Sequence, residues 1–311
     1  MTVLFYSHAS AAVHDTGPGH PEAPARIRAI QSALDEARPK GLERRTAPEA
    51  TRDQLTHVHT ERHVEHILSN IPATGLRQVD GETILSVGSD QAALRGAGAV
   101  CAAVDAVIAG EALRAFCCMR PPGHHAEPEQ AMGFCLFNNV AVGAMQARYG
   151  HGIGRIAIFD FDVHHGNGTQ AMFWDDPETL YLSTHQMPLY PGTGARSESG
   201  VRGNVVNRPC PPGTGSAAWR KVVEHDILPR IDAFAPKLLL ISAGFDAHRD
   251  DPLAQMELVE DDYLWVGERL VELAERHGDA RVVSVLEGGY SPPALAASVL
   301  AHLEGLSLRS D

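Results

Sequence analysis

The stretch Arg155-Ile156-Ala157-Ile158-Phe159-Asp160-Phe161-Asp162-Val163-His164-His165-Gly166-Asn167-Gly168 decides how this chain is read. Its first residues are mostly apolar and read as a buried strand. Acidic and imidazole side chains then alternate, and glycines punctuate the turn that follows. In extended chain, residues two apart project to the same side. Asp162 and His164 are therefore expected to aim at one point beyond a strand end, where a carboxylate and an imidazole suit a borderline metal ion. A lone Asp-x-His also fits a polar strand end turning to solvent, so the surrounding chain has to decide.

Outward from that stretch, apolar runs and helical patterns alternate. Strands are predicted at 3–6, 115–119, 156–159, 180–183, 238–242 and 282–286. Helices are predicted at 24–37, 91–108, 137–148, 167–174, 217–234, 263–276 and 293–303. Repeated β–loop–α order is the signature of a parallel sheet with helices on both faces. The expectation is an α/β protein with three α/β/α layers and a single catalytic domain over 1–311. Residues 40–90 show no clear pattern. His57, His59, His63 and His66 fall among Val58, Val64, Ile67 and Leu68 at helical spacing, and read as exposed or capping residues rather than a metal cluster. His14 and His20 sit in a Gly/Pro loop, where capping explains them as well as a role in a site does.

Composition narrows the function. Lys and Arg number 26 against 39 Asp and Glu, giving −13, and no basic cluster stands out. Nucleic acid and anionic membrane are therefore not expected as partners. Seventeen histidines, several beside glycines and carboxylates, favour metal or acid–base chemistry. Cys101, Cys117, Cys118, Cys135 and Cys210 form neither a disulfide framework nor a C-x-x-C pair. Residues 1–6 read as a first strand rather than a signal peptide, and no apolar segment reads as long enough to cross a bilayer. A cytoplasmic location is expected.

In open parallel sheets, sites form at the carboxyl ends of the strands. Four strands here end in reactive residues: His124 and His125, then Asp160, Asp162 and His164, then Asp246, then Tyr290. Two carboxylates and one imidazole describe an open catalytic zinc site. Gly166 and His248 stand where a second ion would need carboxylates, so one metal is expected. Tandem imidazoles beside a dication can divide labour between base and electrostatic partner. Tyr290 could donate to an oxyanion.

Together these residues resemble the zinc-dependent histone deacetylase superfamily, in particular its class II-like bacterial amidohydrolases. The resemblance runs through Gly-His-Pro-Glu at 19–22, Arg-Pro-Pro-Gly-His-His-Ala-Glu at 120–127 and Gly-Phe-Cys-Leu-Phe-Asn-Asn at 133–139. It continues through Asp-Phe-Asp-Val-His-His-Gly-Asn-Gly-Thr-Gln at 160–170, Tyr-Pro-Gly-Thr-Gly at 190–194, Ile-Ser-Ala-Gly-Phe-Asp-Ala-His at 241–248 and Leu-Glu-Gly-Gly-Tyr at 286–290. It implies an eight-stranded sheet of the arginase/deacetylase type. Asp162, His164 and Asp246 would be the zinc ligands, and His125 the general base and acid. His124 would be the electrostatic partner held by Asp160, and Tyr290 the transition-state donor. Asn167 stands where many class I relatives carry Asp, which implies a shifted pH profile.

The resemblance further implies a tunnel with Phe134 and Tyr190 as walls, lined by Gly133 and Gly289, with Leu253 at the rim and Arg26 on the product path. It implies a structural potassium ion held by oxygens of Asp160, Asp162, His164, Ser183 and Thr184. The implied activity is zinc-dependent removal of acetyl or related acyl groups from the ε-amino group of lysine, in a protein, a peptide or an acylated small amine. Acetylpolyamine hydrolysis is the rival, weakened by the short loop from Gln186 to Gly194. A catalytically silent acyl-lysine reader is a third reading, and a homo-oligomer is compatible with all three.

Overall fold

The computed structural model describes residues 1–277, 279 and 281–307; the remainder of the 1–311 domain expectation lies outside the described residues. The strands are β1 (Val3–Ser7), β2 (Leu42–Thr46), β3 (Leu76–Gln78), β4 (Ile84–Ser86) and β5 (Arg114–Cys117), followed by β6 (Ile156–Asp160), β7 (Thr179–Gln186), β8 (Val205–Cys210), β9 (Leu238–Ala243) and β10 (Val282–Leu286). The α-helices are α1 (Ala25–Ala37), α2 (Arg52–Thr56), α3 (Glu61–Ser69), α4 (Ser89–Ile108) and α5 (Asn139–Met145). They continue with α6 (Asn167–Met172), α7 (Ser216–Val222), α8 (Leu228–Phe234), α9 (Glu260–His277) and α10 (Pro292–Ser307).

Eight strands form one sheet in the order β2-β1-β5-β10-β9-β6-β7-β8, every neighbouring pair parallel. Its inner strands are almost wholly buried and mostly apolar, as in Leu238–Ala243, because helices cover both faces. On the helical layers, α10 packs against α9 and α1, and α4 against α5. The strands β3 and β4 form a separate antiparallel hairpin.

The sequence pattern finds six of the eight sheet strands and misses the two edges. β2 (Leu-Glu-Arg-Arg-Thr) is half solvated and lacks an apolar run. β8 carries Pro209, which only an edge strand tolerates. Helix α5 starts at Asn139 rather than 137 because the Asn138 side chain caps it, accepting from Ala141 N at 3.0 Å.

Two further expectations need correcting. His59 and His63 are buried, not exposed. His59 accepts from Asn138 N (2.9 Å) and pairs with the Glu127 carbonyl, while His63 donates to the Leu136 carbonyl. They are core groups with their polar atoms satisfied. Helix α4 is long and apolar enough to cross a membrane by length and composition alone. Two-thirds of its apolar window is buried inside the protein, where it packs against α5 and β5.

Candidate active site

The four reactive strand ends belong to β5, β10, β9 and β6, and these four are neighbours at the centre of the sheet. Their carboxyl-end loops carry His124 and His125, Tyr290, Asp246, and Asp160 to Asn167 respectively. The chain past Asp160 is not extended as expected. Asp162 N donates to Asp160 Oδ1 (3.1 Å) and His164 N to Asp162 Oδ1 (2.8 Å), so each carboxylate closes the turn that presents the next residue.

Asp162, His164 and Asp246 offer donor atoms within 4.8 Å of one another, all from buried residues. His164 Nδ1 lies 3.2 Å from Asp162 Oδ1 and 3.1 Å from Asp246 Oδ2. Backbone groups orient the carboxylates: Val163 N donates to Asp246 Oδ1 (2.9 Å) and Gly288 N to Asp162 Oδ2 (2.8 Å). Among the described residues, the ion-pair partners of these two carboxylates are histidines alone, with neither Lys nor Arg. Burying two carboxylates this way is costly unless a cation joins them. The set fits a single borderline divalent ion with open positions. Burial would lower the His164 imidazole, yet the flanking carboxylates raise it to about 10, so a proton and a metal compete for the same spot. Burial and the Asp162 charge together raise Asp246 to about 7.

His124 and His125 have unlike partners. His124 Nδ1 is 3.0 Å from Asp160 Oδ2, which also accepts from the Tyr181 hydroxyl at 3.1 Å. Burial alone would lower His124, but Asp160 and then Asp162 outweigh it and raise the imidazole to about 10, so it is held as a cation. His125 Nδ1 is 2.8 Å from Asn167 Oδ1. The Asn167 amide nitrogen donates to Glu127 Oε1 at 2.8 Å. A carboxylate can only accept, so the amide oxygen must face His125, whose Nδ1 carries the hydrogen. Nε2 is then the free base. Burial, reinforced by the positive charges on His124 and His164, holds His125 well below the usual imidazole range.

Above these groups opens a cavity of about 440 Å³, lined by His125, Gly133, Phe134, His164, Tyr190, Leu253 and Tyr290, with His20 and Glu82 at its wall. The Tyr190 ring stands 5.2 Å from His125, and Phe134 stands 5.8 Å from Tyr290. Phe134 sits at the tip of a two-residue turn, Gly133-Phe134, closed by paired bonds between Met132 and Cys135. Both tip residues have positive φ (55° and 69°), a strained state for a bulky side chain. The strain aims Phe134 into the cavity, and Thr83 Oγ1 steadies the turn by accepting from Phe134 N at 3.1 Å.

Gly289 and Arg26 are not among the residues that line this cavity. Gly289 is not on the cavity wall: its φ of +126° turns its carbonyl inward to accept from Arg26 Nε at 2.6 Å. Arg26 is buried as a clamp, paired with Glu22, donating to the Glu287 carbonyl and lying 5.0 Å from the Tyr290 ring. Ser183 and Thr184 are buried on β7, with Ser183 in register beside Asp160.

Several supports went unseen in the sequence. Glu287 accepts from Gly123 N (2.6 Å), His124 N (3.2 Å) and Ser242 Oγ (3.1 Å), tying three strand ends together. Glu22 is fully buried between Arg26 and Arg120. Tyr181, Glu127 and Asp251 complete the set. Only Glu22, Glu127 and Glu287 lie inside recognised motifs; Tyr181 and Asp251 are single polar residues with no local pattern.

A metal-ready triad beside a pair of unlike histidines suits a hydrolase. A family model described as the histone deacetylase domain matches residues 20–306. A probable deacetylase of Archaeoglobus fulgidus is 39% identical over 308 residues, covering 95% of this chain and 84% of its own. The histone deacetylase-like amidohydrolase of Pseudomonas aeruginosa is 40% identical over 294 residues, covering 93% and 77%. The crystal structure of the HDA15 HD domain superposes with a TM-score of 0.92 at 34% identity, over 98% of this chain and 88% of that one. This chain belongs to the histone deacetylase family and is a hydrolase of the deacetylase kind.

Proposed function

We propose that this protein is a zinc-dependent deacetylase that removes acetyl or related acyl groups from the ε-amino group of lysine. The observation that carries this reading is the unlike pairing of His124 with Asp160 and of His125 with Asn167, at the floor of an aromatic-walled cavity. Asp162, His164 and Asp246 would hold one zinc ion, and when bound it supplies Lewis-acid polarisation and acidifies water towards neutral pH. Neutral His125 accepts a proton from the attacking water on Nε2 and returns it to the leaving amine. Cationic His124 and the Tyr290 hydroxyl face the charge that develops on the amide oxygen. Phe134 and Tyr190 suit an extended alkyl chain between them. By family likeness, oxygens of Asp160, Asp162, His164, Ser183 and Thr184 would hold a potassium ion.

The test is hydrolysis of a fluorogenic acetyl-lysine peptide by Tyr290→Phe. A loss on the order of 10²–10³ in kcat is expected for one oxyanion donor; an unchanged kcat would overturn the mechanism. The rival substrate is an acetylated polyamine, favoured by the exposed Glu82 at the cavity mouth. Comparing kcat/KM for acetyl-lysine peptides and acetylated polyamines decides between them.

A further inference from the structure

The peptide group joining Gly289 to Tyr290 is gripped at both its polar ends. Its carbonyl accepts from Arg26 Nε at 2.6 Å, and its N–H donates to Asp251 Oδ2 at 2.6 Å. The neighbouring groups of this loop are tied as well, Gly288 N to Asp162 and the Gly288 carbonyl to Phe245 N. Asp251 is only 6% exposed, so its two bonds are made away from solvent. Its other oxygen, Oδ1, accepts from Leu253 N at 3.0 Å. One carboxylate thus joins the loop bearing Tyr290 to the loop bearing Leu253, and both side chains line the same cavity.

A cation on the carbonyl and an anion on the N–H fix the orientation of a peptide plane more firmly than either alone. That plane sets the direction in which the Tyr290 side chain leaves the backbone. Gly289, at φ +126°, would otherwise leave it free to rotate. We infer that Asp251 is the positioning residue of Tyr290, holding its hydroxyl at the developing oxyanion while fixing the rim of the cavity through Leu253. This rests on the role given to Tyr290 above.

The experiment is a double-mutant cycle of Asp251→Asn with Tyr290→Phe, read as kcat and KM on the fluorogenic acetyl-lysine peptide. An asparagine keeps the shape but can accept through only one atom, so one of the two N–H groups loses its partner. In the background that keeps Tyr290, kcat is expected to fall on the order of tenfold, as for a small displacement of an aligned group. In the Tyr290→Phe background the same substitution should leave kcat within roughly twofold, because nothing remains to be positioned. Equal losses in both backgrounds would overturn the role of Asp251 and leave the hydrolytic reading standing. An unchanged kcat for Tyr290→Phe alone would overturn both. Thermal melting checks that each variant folds. Asp251→Glu, which keeps the charge and displaces it by one methylene, is the second variant and must show the same dependence on Tyr290.

Discussion

His124 and His125 stand with ring centroids 4.0 Å apart, and the first is held charged while the second is held neutral. Adjacent in sequence and almost touching in space, they differ in their partners, a carboxylate oxygen of Asp160 against an amide oxygen of Asn167, and the charge so held on His124 adds to burial in keeping His125 neutral.

That difference sets the pH dependence. Proton uptake requires neutral His125, so activity rises with pH through its pKa, which burial and the neighbouring His124 imidazolium hold low. Asn167→Asp places a carboxylate against Nδ1 and favours the imidazolium. The acidic limb of kcat/KM should therefore move to higher pH, by about one unit or more. At the alkaline end activity should fall near pH 10, as His124 loses its charge. A full pH–rate profile of both enzymes checks this.

Removing the metal should abolish hydrolysis and lower the melting temperature, and zinc should restore both. At a free zinc concentration a hundred times Kd the gain is about 2.7 kcal/mol. Because a proton on His164 competes for the site, zinc affinity should weaken as pH falls. Calorimetric melting with graded zinc at two pH values is the measurement.

Gly166→Asp should not create a second metal site. A Cβ there would strike Asp160 Oδ2 and come within 2.7 Å of the Tyr181 hydroxyl, so the added carboxylate has no room. The expected result is one metal per chain or none by elemental analysis, with a stability loss of roughly 1–3 kcal/mol.

Glu22 is buried between Arg120 and Arg26. Burial would raise its pKa, but Arg120 above all brings it down to about 2. A depressed carboxylate stabilises the fold above its unfolded value, and that contribution is lost as pH falls from about 4.3 through 2. Glu22→Gln should cost on the order of 3–5 kcal/mol at neutral pH, since two buried guanidinium groups lose their counter-charge. It should also flatten acid unfolding between those pH values, followed by circular dichroism.

Much of the site is legible in the sequence because its chemistry lies in dense motifs at the ends of strongly apolar strands, as at Asp160 to Asn167. Asp162, His164 and Asp246 could be grouped from that alone. What stayed hidden shares one physical trait: each depends on partners far away in the chain. Asp251 looks like any loop aspartate until Tyr290, 39 positions on, donates to it. His59 looks solvated until Asn138 and Glu127 close over it. The edge strands β2 and β8 escaped because an edge needs no continuous apolar run, and the Gly133-Phe134 turn because a positive φ at phenylalanine has no sequence signal.

The order of the sheet has a consequence for how the chain is made. β10 is the last strand in the sequence, yet it lies between β5 and β9, at the middle of the sheet. A chain emerging from the ribosome has synthesised its histidine pair and the Asp162, His164 and Asp246 triad before the strand that leads to Tyr290 exists. In the finished sheet β5 and β9 do not pair with each other, and each pairs with β10 instead. Peptides ending before Val282 hold most of the side chains grouped at the site but lack the strand that joins β5 to β9. The site is therefore complete only once β10 has been inserted between β5 and β9.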